Sequence, residues 1–395
     1  MSGIAPLQRK RTMVVPRSLS PYDRMFLEDI TPLGGFNNAH AHIDRADTLD
    51  DKYLRHINTT TLEASSLPLS VKQNLTGDLH RGEAYTETDL RERMSRVIER
   101  LISYGTTRLT TCIDVTPDIG ENGLLAMRVA LELKDKFADR IIIRIGPNPI
   151  FGFKEWTERL KVYQEAAQMS DFLSALPEKD DFVSPLTRDG KVGFRKHLRA
   201  VLELGCTLKK EVHVHLDQAN DPEEVGTETL VDGLRWLDQP QIPGHQGPTV
   251  WVIHMISPSG YYEKRFSKLV DGLLEFNLGV IVCPTAAVSM RQLRPIGAPI
   301  HNSIARVLEL CKRKVPVLLG SDNMCDVFVP QGDGDMLTEI KVAGHAVRFA
   351  IPHVWAKLAA GVPLNEVDRA TVGRVLYQDR KACQSIDPNW EPAID

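Results

Sequence analysis

The sequence has no long apolar run and no excess of positive charge. No stretch of its 395 residues approaches the roughly 18–20 consecutive apolar residues that cross a membrane, and no apolar segment of signal-peptide length follows the basic residues near the N-terminus. The formal net charge of −4 gives no reason to expect a nucleic acid. These absences predict a cytoplasmic protein whose partners are neither nucleic acids nor membranes.

Several motifs that carry common enzyme chemistry are also missing. The six cysteines include no pair at CxxC spacing, so free thiols in a reducing cytoplasm are favoured over a disulfide framework. Neither a phosphate-binding loop nor a dinucleotide-type glycine pattern occurs at a strand–helix junction, which disfavours nucleotide-binding enzymes. The GxSxG elbow of a Ser–His–Asp hydrolase is absent as well.

Segments with strand-like and helix-like patterns alternate along most of the chain. Apolar residues recur at helical spacing between Leu90 and Leu101, whereas residues 141–146 form an almost continuous apolar run typical of a strand buried on both faces. The predicted strands lie at 30–42, 108–115, 141–146, near Phe182, and at 211–216, 251–254, 278–283 and 315–320. The predicted helices lie at about 88–104, 122–137, 193–204, after 257–259, and at about 304–311, 335–350 and 364–376.

This alternation predicts the fold class. Strands that alternate with helices in a chain of this size indicate an α/β fold, a (β/α)₈ TIM barrel. A doubly wound sheet is the alternative, but it does not readily bring the first and last strands together. The barrel is predicted to span residues 31–378, between an N-terminal arm at 1–30 and a C-terminal tail at 379–395. The polar stretch 43–88 is predicted to be a long loop.

Histidines and one aspartate lie at the predicted carboxyl ends of four strands. His40 and His42 are two residues apart and therefore point to the same side of a strand. His215, His254 and Asp322 follow at the ends of later strands, where barrels of this type place their active sites. A single histidine at a strand end is more often a hydrogen-bonded core residue than a ligand. Four matching strand ends favour a metal site.

The predicted ligands are His40, His42, His215 and Asp322, which suit one divalent transition metal. Zinc is the default, and iron or manganese would accept the same donors. The ion would lower the pKa of a bound water towards about 7 and so generate hydroxide at neutral pH. Asp322 is predicted to accept the proton and His254 to polarise the electrophile.

The residues at these strand ends together resemble the amidohydrolase superfamily. The closest branch is that of cytosine deaminase and isopropylammelide amidohydrolase, and the resemblance covers residues 34–375. It rests on the His40–His42 pair with Asp44, the segment 214–218, the lone His254, and Gly320–Asp322. The resemblance implies a metal-dependent hydrolase acting on carbon–nitrogen bonds other than peptide bonds.

Three positions depart from the family pattern. Gln218 replaces a glutamate that moves protons in cytosine deaminases, and an amide cannot ionise. Asn323 replaces an aspartate, and a substrate-reading glutamine is missing near Ile150. With Arg45, which matches a lysine of the triazine enzyme, these residues are predicted to contact substrate and to favour carbonyl acceptors or an anionic group. Gln218 is retained as a candidate catalytic residue.

The leading prediction is a hydrolase in which metal-bound hydroxide attacks a C–N bond of a small amide, imide, or cyclic or heteroaromatic compound. One alternative is a cytosine-deaminase-like enzyme that releases ammonia, and another is a non-catalytic metal-binding barrel. The flanking β-sandwich usual in the superfamily is expected to be reduced or absent. The N-terminal arm, rich in arginine and proline, is expected to pack on a neighbouring subunit of a homo-oligomer.

Overall fold

The computed structural model of the protein describes residues 19–54, 60–154, 158–182, 190–290 and 303–392. Within these ranges the chain alternates parallel strands with helices. The strands are β1 (Phe36–Ala41), β2 (Thr106–Asp114), β3 (Ile142–Asn148), β4 (Leu173–Ala175), β5 (Val212–Leu216), β6 (Val250–His254), β7 (Gly279–Val282) and β8 (Val317–Leu319). Seven of the eight predicted strands are confirmed.

The helices cover the outside of the strands. They are α1 (Pro21–Ile30), α2 (Thr61–Ala64), α3 (Leu69–Arg81), α4 (Glu87–Ser103), α5 (Leu125–Lys136), α6 (Glu158–Met169), α7 (Phe194–Leu208), α8 (Gly226–Gly233), α9 (Glu263–Glu275), α10 (Pro284–Ser289), α11 (Val307–Lys312), α12 (Met336–Ala346), α13 (Pro352–Ala359) and α14 (Glu366–Ile386). In α4, the side chain of Thr86 caps the first turn by accepting from the Asp89 N–H. Its apolar stripe, with Leu90 and Val97, is fully buried.

All strand pairs are parallel and join neighbours in the chain. β1, β2 and β3 form one hydrogen-bonded sheet and β4 to β8 form another. β3 lies beside β4 and β8 lies beside β1, and a parallel bridge joins Ala41 to Asp322. The fold is therefore TIM-barrel-like α/β, as predicted. In the described ranges every strand belongs to one of these two sheets.

A glycine permits the first and last strands to approach each other. Gly320 follows β8 directly, and a Cβ atom added there would lie 2.7 Å from both the backbone nitrogen and the carbonyl oxygen of His40. The Asp322 N–H donates to the His40 carbonyl over 2.9 Å, and the His42 N–H donates to the Asp322 carbonyl over 3.3 Å. The ends of β1 and β8 are therefore held together by backbone hydrogen bonds.

The fourth strand was predicted in the wrong place. It comprises Leu173–Ala175 and pairs with β5, whereas Phe182 follows a 3₁₀ helix at Pro177–Asp180 and is 38% exposed. Residues 183–189 lie outside the described residues. Three residues are too few to show an alternating or continuous apolar pattern, so periodicity does not detect this strand.

The stretch 43–88 is not the loop that was predicted. It contains α3, whose buried residues are mostly polar: Lys72, Gln73, Thr76, Gly77, Leu79 and His80. A helix normally reveals itself in sequence by an apolar stripe. Here the inward face lacks that stripe because it faces the polar pocket described below.

The terminal segments complete the outer layer. Within the predicted arm, α1 packs against α13 of the same chain, with Phe26 and Ile30 buried, while residues 1–18 lie outside the described residues. α14 continues through position 378, where the tail was predicted to begin. None of the described helices combines the length and apolarity needed to cross a bilayer. All six cysteines are free thiols, as predicted.

Candidate metal centre

The predicted ligands meet at the carboxyl end of the strands. His40 lies in β1 and His42 directly follows it. The His40 Nε2 lies 3.3 Å from the His215 Nε2 and 3.4 Å from the Asp322 Oδ1, and the His42 Nε2 lies 3.3 Å from the same Asp322 oxygen. The structure thus brings together three imidazole nitrogens and one carboxylate oxygen from three widely separated segments of the chain.

Burial keeps these groups in the protonation states that bind metals. Burial and the neighbouring Arg45 lower the pKa of His42 to about 3. Burial and the surrounding histidines lower the pKa of His215 well below its usual value. Burial raises the pKa of Asp322, but hydrogen bonds with His40 and His42 outweigh it, so the pKa lies well below the usual range. At neutral pH His42 and His215 are therefore neutral and Asp322 is ionised, the forms that bind a metal ion.

His254 lies close enough to belong to the same cluster. Its ring centroid is 5.6 Å from that of His215 and 5.9 Å from that of His40. The donor atoms of His40, His254 and Asp322 all lie within 4.8 Å of one another, as do those of His40, His42 and His215. His254, predicted to be catalytic rather than a ligand, is therefore within reach of either role.

The backbone at the site is unusual. His254 has a φ of 77° and Asp322 a φ of 60°, in the left-handed region that side-chain-bearing residues seldom adopt. Such conformations cost about 1–3 kcal/mol each and persist where surrounding structure enforces them, commonly at functional sites. They aim both side chains at the centre of the cluster.

The donor set fits a divalent metal ion. Within the cluster, the Nδ1 atoms of His42 and His254 are buried without a hydrogen-bond partner in the described part of the chain. The His215 Nδ1 donates to the Ala175 carbonyl over 3.1 Å, which turns its Nε2 towards the cluster, as outer hydrogen bonds do for metal-binding histidines. Mixed imidazole and carboxylate donors suit zinc, iron or manganese.

His213 stands apart from this cluster. Its Nε2 lies 3.4 Å from a carboxylate oxygen of Glu211, and its ring packs on Phe172 with centroids 4.3 Å apart. It belongs to neither group of candidate ligands.

A pocket opens above the cluster. All the residues predicted to contact substrate line it, namely Arg45, Ile150, Gln218 and Asn323. Three residues of α3 line it as well: Leu69, Lys72 and Gln73. His42, His215, His254 and Asp322 form its floor. The pocket therefore joins the candidate metal ligands to a mixed lining of cations, amides and apolar side chains.

Arg45 is a buried cation whose donors are not all used. It is 2% exposed, and its Nε and Nη1 have no hydrogen-bond partner among the described residues. Its Nη1 lies 3.6 Å from the Asp114 Oδ2, and its guanidinium lies 5.1 Å from the centre of the Phe328 ring. Buried donors without partners are rare in folded proteins, so a ligand in the pocket is a reasonable partner for them.

Asp114, at the end of β2, organises this side of the pocket. Its carboxylate accepts from Asn148 over 2.8 Å and lies 3.1 Å from the His80 Nε2. Burial raises the pKa of Asp114, but Arg45 and His80 outweigh burial and bring it below the usual value. The ionised carboxylate thus anchors Arg45, Asn148 and the helix that carries His80.

Sequence reasoning missed two groups of the site. Lys72 and Gln73 were hidden by the polar character of α3. Glu178 follows β4, and its Oε2 accepts from the Gln218 Nε2 over 3.1 Å. Burial, followed by the charges of Glu224 and Asp217, raises the pKa of Glu178 well above its usual value. The misplaced fourth strand concealed this carboxyl group.

The sequence matches no protein-family model. An uncharacterized protein of Haemophilus influenzae is 27% identical over 297 residues, which cover 74% of this chain and 95% of that protein.

Several solved structures have a similar fold. The 5-methylcytosine deaminase of Klebsiella pneumoniae liganded with 5-fluorocytosine has a TM-score of 0.66 at 22% identity, covering 86% of this chain and 82% of that chain. The N-isopropylammelide isopropylaminohydrolase of Burkholderia multivorans has a TM-score of 0.58 at 17% identity over 86% and 74%. The guanine deaminase of C. acetobutylicum has a TM-score of 0.51 at 14% identity over 82% and 71%. The predicted resemblance is confirmed in the fold, which this chain shares with deaminases and an aminohydrolase of nitrogen heterocycles.

Proposed function

We propose that the protein is a metal-dependent hydrolase that cleaves a C–N bond of a small amide, imide, or cyclic or heteroaromatic compound. The observation that carries this proposal is that the donor atoms of His40, His42, His215 and Asp322 belong to two groups of candidate ligands that share His40, and that a pocket lies above them. The shared fold supports it, because the similar structures include two deaminases and an aminohydrolase.

His40, His42, His215 and Asp322 would hold one divalent ion, with zinc as the default. When bound, such an ion acidifies a water molecule for nucleophilic attack and polarises the substrate. Asp322 is suited to accept the proton of the attacking water and to pass it to the leaving nitrogen, because it stays ionised despite its burial. His254 would donate a hydrogen bond to the electrophilic group.

The substrate would lie between the cluster and Arg45. Arg45 would contact an acceptor or anionic group through its unused N–H donors. Asn323, whose Oδ1 is buried without a partner among the described residues, would contact a polar edge, and Ile150 would pack on a ring. The closure of all eight strands into one barrel, the homo-oligomeric state and the cytoplasmic location belong to the same proposal.

Metal analysis combined with a substrate panel tests the proposal. We expect about one equivalent of divalent ion per chain in the purified protein, and its loss in H42A. The control is H353A, because the His353 side chain is 46% exposed and lies outside the cluster. The panel comprises pyrimidines, triazines and cyclic amides, with ammonia and ring-opened products measured separately.

The outcomes separate the candidate functions. Turnover abolished by chelation and in D322N supports a metal-dependent hydrolase. Release of ammonia from a pyrimidine or triazine would make the enzyme a deaminase, whereas ring opening or amine release without ammonia would reject that alternative. Metal binding without turnover across the panel, and no change in D322N, would favour a non-catalytic metal-binding barrel and contradict the proposal.

A further inference from the structure

We propose that Glu178 holds the NH₂ group of Gln218, so that the Gln218 carbonyl oxygen faces the pocket and selects substrates with an N–H donor at that point. Glu178 is then a positioning residue and Gln218 a specificity-determining residue. This inference rests on the proposed function, because it concerns the substrate of the same pocket.

The carboxyl group of Glu178 contacts two consecutive residues after β5. Its Oε1 accepts from the Asp217 backbone N–H over 2.6 Å, and its Oε2 accepts from the Gln218 Nε2 over 3.1 Å. A glutamine amide has two donors on nitrogen and one acceptor oxygen. With the nitrogen turned towards Glu178, the oxygen is the polar atom that Gln218 presents elsewhere.

The segment that carries Gln218 is firmly placed. The Asp217 carboxylate accepts from the Gly226 N–H over 2.7 Å and from the Thr227 N–H over 3.0 Å, which ties the end of β5 to the start of α8. Asp217 also has a φ of 57°, in the left-handed region. The Ala219 N–H donates to the Glu224 Oε2 over 2.9 Å, so hydrogen bonds hold the chain on both sides of Gln218.

The Gln218 side chain faces the pocket as well as the protein interior. It is 6% exposed and lines the pocket beside His215 and His254. Among the described residues no protein donor contacts its Oε1, whereas its Nε2 donates to Glu178. A largely buried carbonyl without a protein donor favours a ligand that supplies an N–H. This differs from the sequence-based expectation that the amide would donate to a carbonyl of the substrate.

The substitution E178Q inverts the arrangement without removing side-chain volume. The Asp217 N–H still requires an acceptor, so the new amide keeps its oxygen there and turns its NH₂ group towards Gln218. Gln218 must then turn its own carbonyl towards position 178, which exposes its NH₂ group to the pocket. E224Q is the matched control, because the Glu224 carboxylate contacts Ala219 and Ser257 in the same region and not Gln218.

The measurement is NMR of the metal-loaded protein labelled with ¹⁵N in its glutamine side chains. The Gln218 carboxamide signal is assigned by its disappearance in Q218E. The probes are 2-pyridone and 2-pyranone, which share a ring shape and differ by an N–H against a ring oxygen. In the native protein and in E224Q we expect 2-pyridone to shift the Gln218 signal with about tenfold higher affinity, which corresponds to about 1.4 kcal/mol. In E178Q the preference should be lost or reversed.

Several results would overturn the inference. An unchanged Gln218 signal in E178Q would show that Glu178 does not orient the amide. Preference for 2-pyranone in the native protein would mean that Glu178 carries a proton and donates it to the Gln218 carbonyl. Equal affinity, or no binding of either probe, would remove the donor-selective subsite. Metal content and turnover measured on the same samples report separately on the proposed hydrolase function.

Discussion

The buried side chain of Arg93 offers a quantitative test of how the site is supported. It lies in α4, is fully buried, and donates to the carbonyls of Asp44 and Ala46 over 2.7 Å each and to that of Ala84 over 2.6 Å. In R93M three carbonyls lose a charged donor, at about 1–2 kcal/mol each. The Asp89 carboxylate, 2.8 Å from the Arg93 Nε, loses its buried partner. We expect the free energy of unfolding to fall by about 3–5 kcal/mol.

The assay is urea denaturation of both proteins, followed by tryptophan fluorescence, with the midpoint and slope fitted separately. The control is R91M in the same helix, because the Arg91 side chain is 40% exposed and its ion pairs with Glu87 and Glu132 are on the surface. That substitution should change the free energy by less than about 0.5 kcal/mol. A loss below about 1 kcal/mol in R93M, or an equal loss in R91M, would refute the reasoning.

Two further substitutions test the strand contact and the buried charge. G320A should lower both the free energy of unfolding, by about 1–3 kcal/mol, and the metal content, because the added Cβ would meet the backbone of His40 at 2.7 Å. The control is G233A in α8, where an added Cβ makes only ordinary van der Waals contacts and metal content should stay unchanged. Equal loss of metal in G320A and G233A would contradict the explanation. Burial raises the pKa of Glu339 from 4.5 to about 8 despite hydrogen bonds from Thr285. The native protein should therefore lose stability relative to E339Q as the pH rises between these values, by up to about 1.4 kcal/mol per pH unit. The free energies of unfolding of the two proteins are compared by urea denaturation from pH 5 to 8. A difference that stays constant over this range would show that the carboxyl is not buried in this way.

The sequence predicts the candidate ligands because each lies at a strand end with a clear pattern. β5 and β6 are buried along their whole length; β6 is apolar until His254, and β5 is apolar apart from His213 and His215. The parallel order of strands then requires these ends to meet at one mouth. The geometry of His40, His42 and Asp322 follows from the same rule.

The parts that sequence did not predict lie where local pattern and environment disagree. Lys72 and Gln73 of α3 point inward. This is favourable because they face a polar pocket, whereas a helix that packs on an apolar core would bury apolar residues there. β4 has three residues and carries too little pattern to be detected. The orientation of Gln218 depends on Glu178, whose contact arises only from the pairing of β4 with β5.

The bridge between Ala41 and Asp322 has a consequence for the order in which parts of the protein fold. The neighbouring pair Asn38 and Ser321 hydrogen-bond across 283 positions of the chain, so the candidate metal centre consists of contacts with very high sequence separation. Such contacts form after local ones, because the entropy of closing the intervening chain must be overcome first. During synthesis, a chain that has not yet emerged as far as residue 322 lacks a ligand. Metal uptake would therefore mark the completion of folding rather than nucleate it.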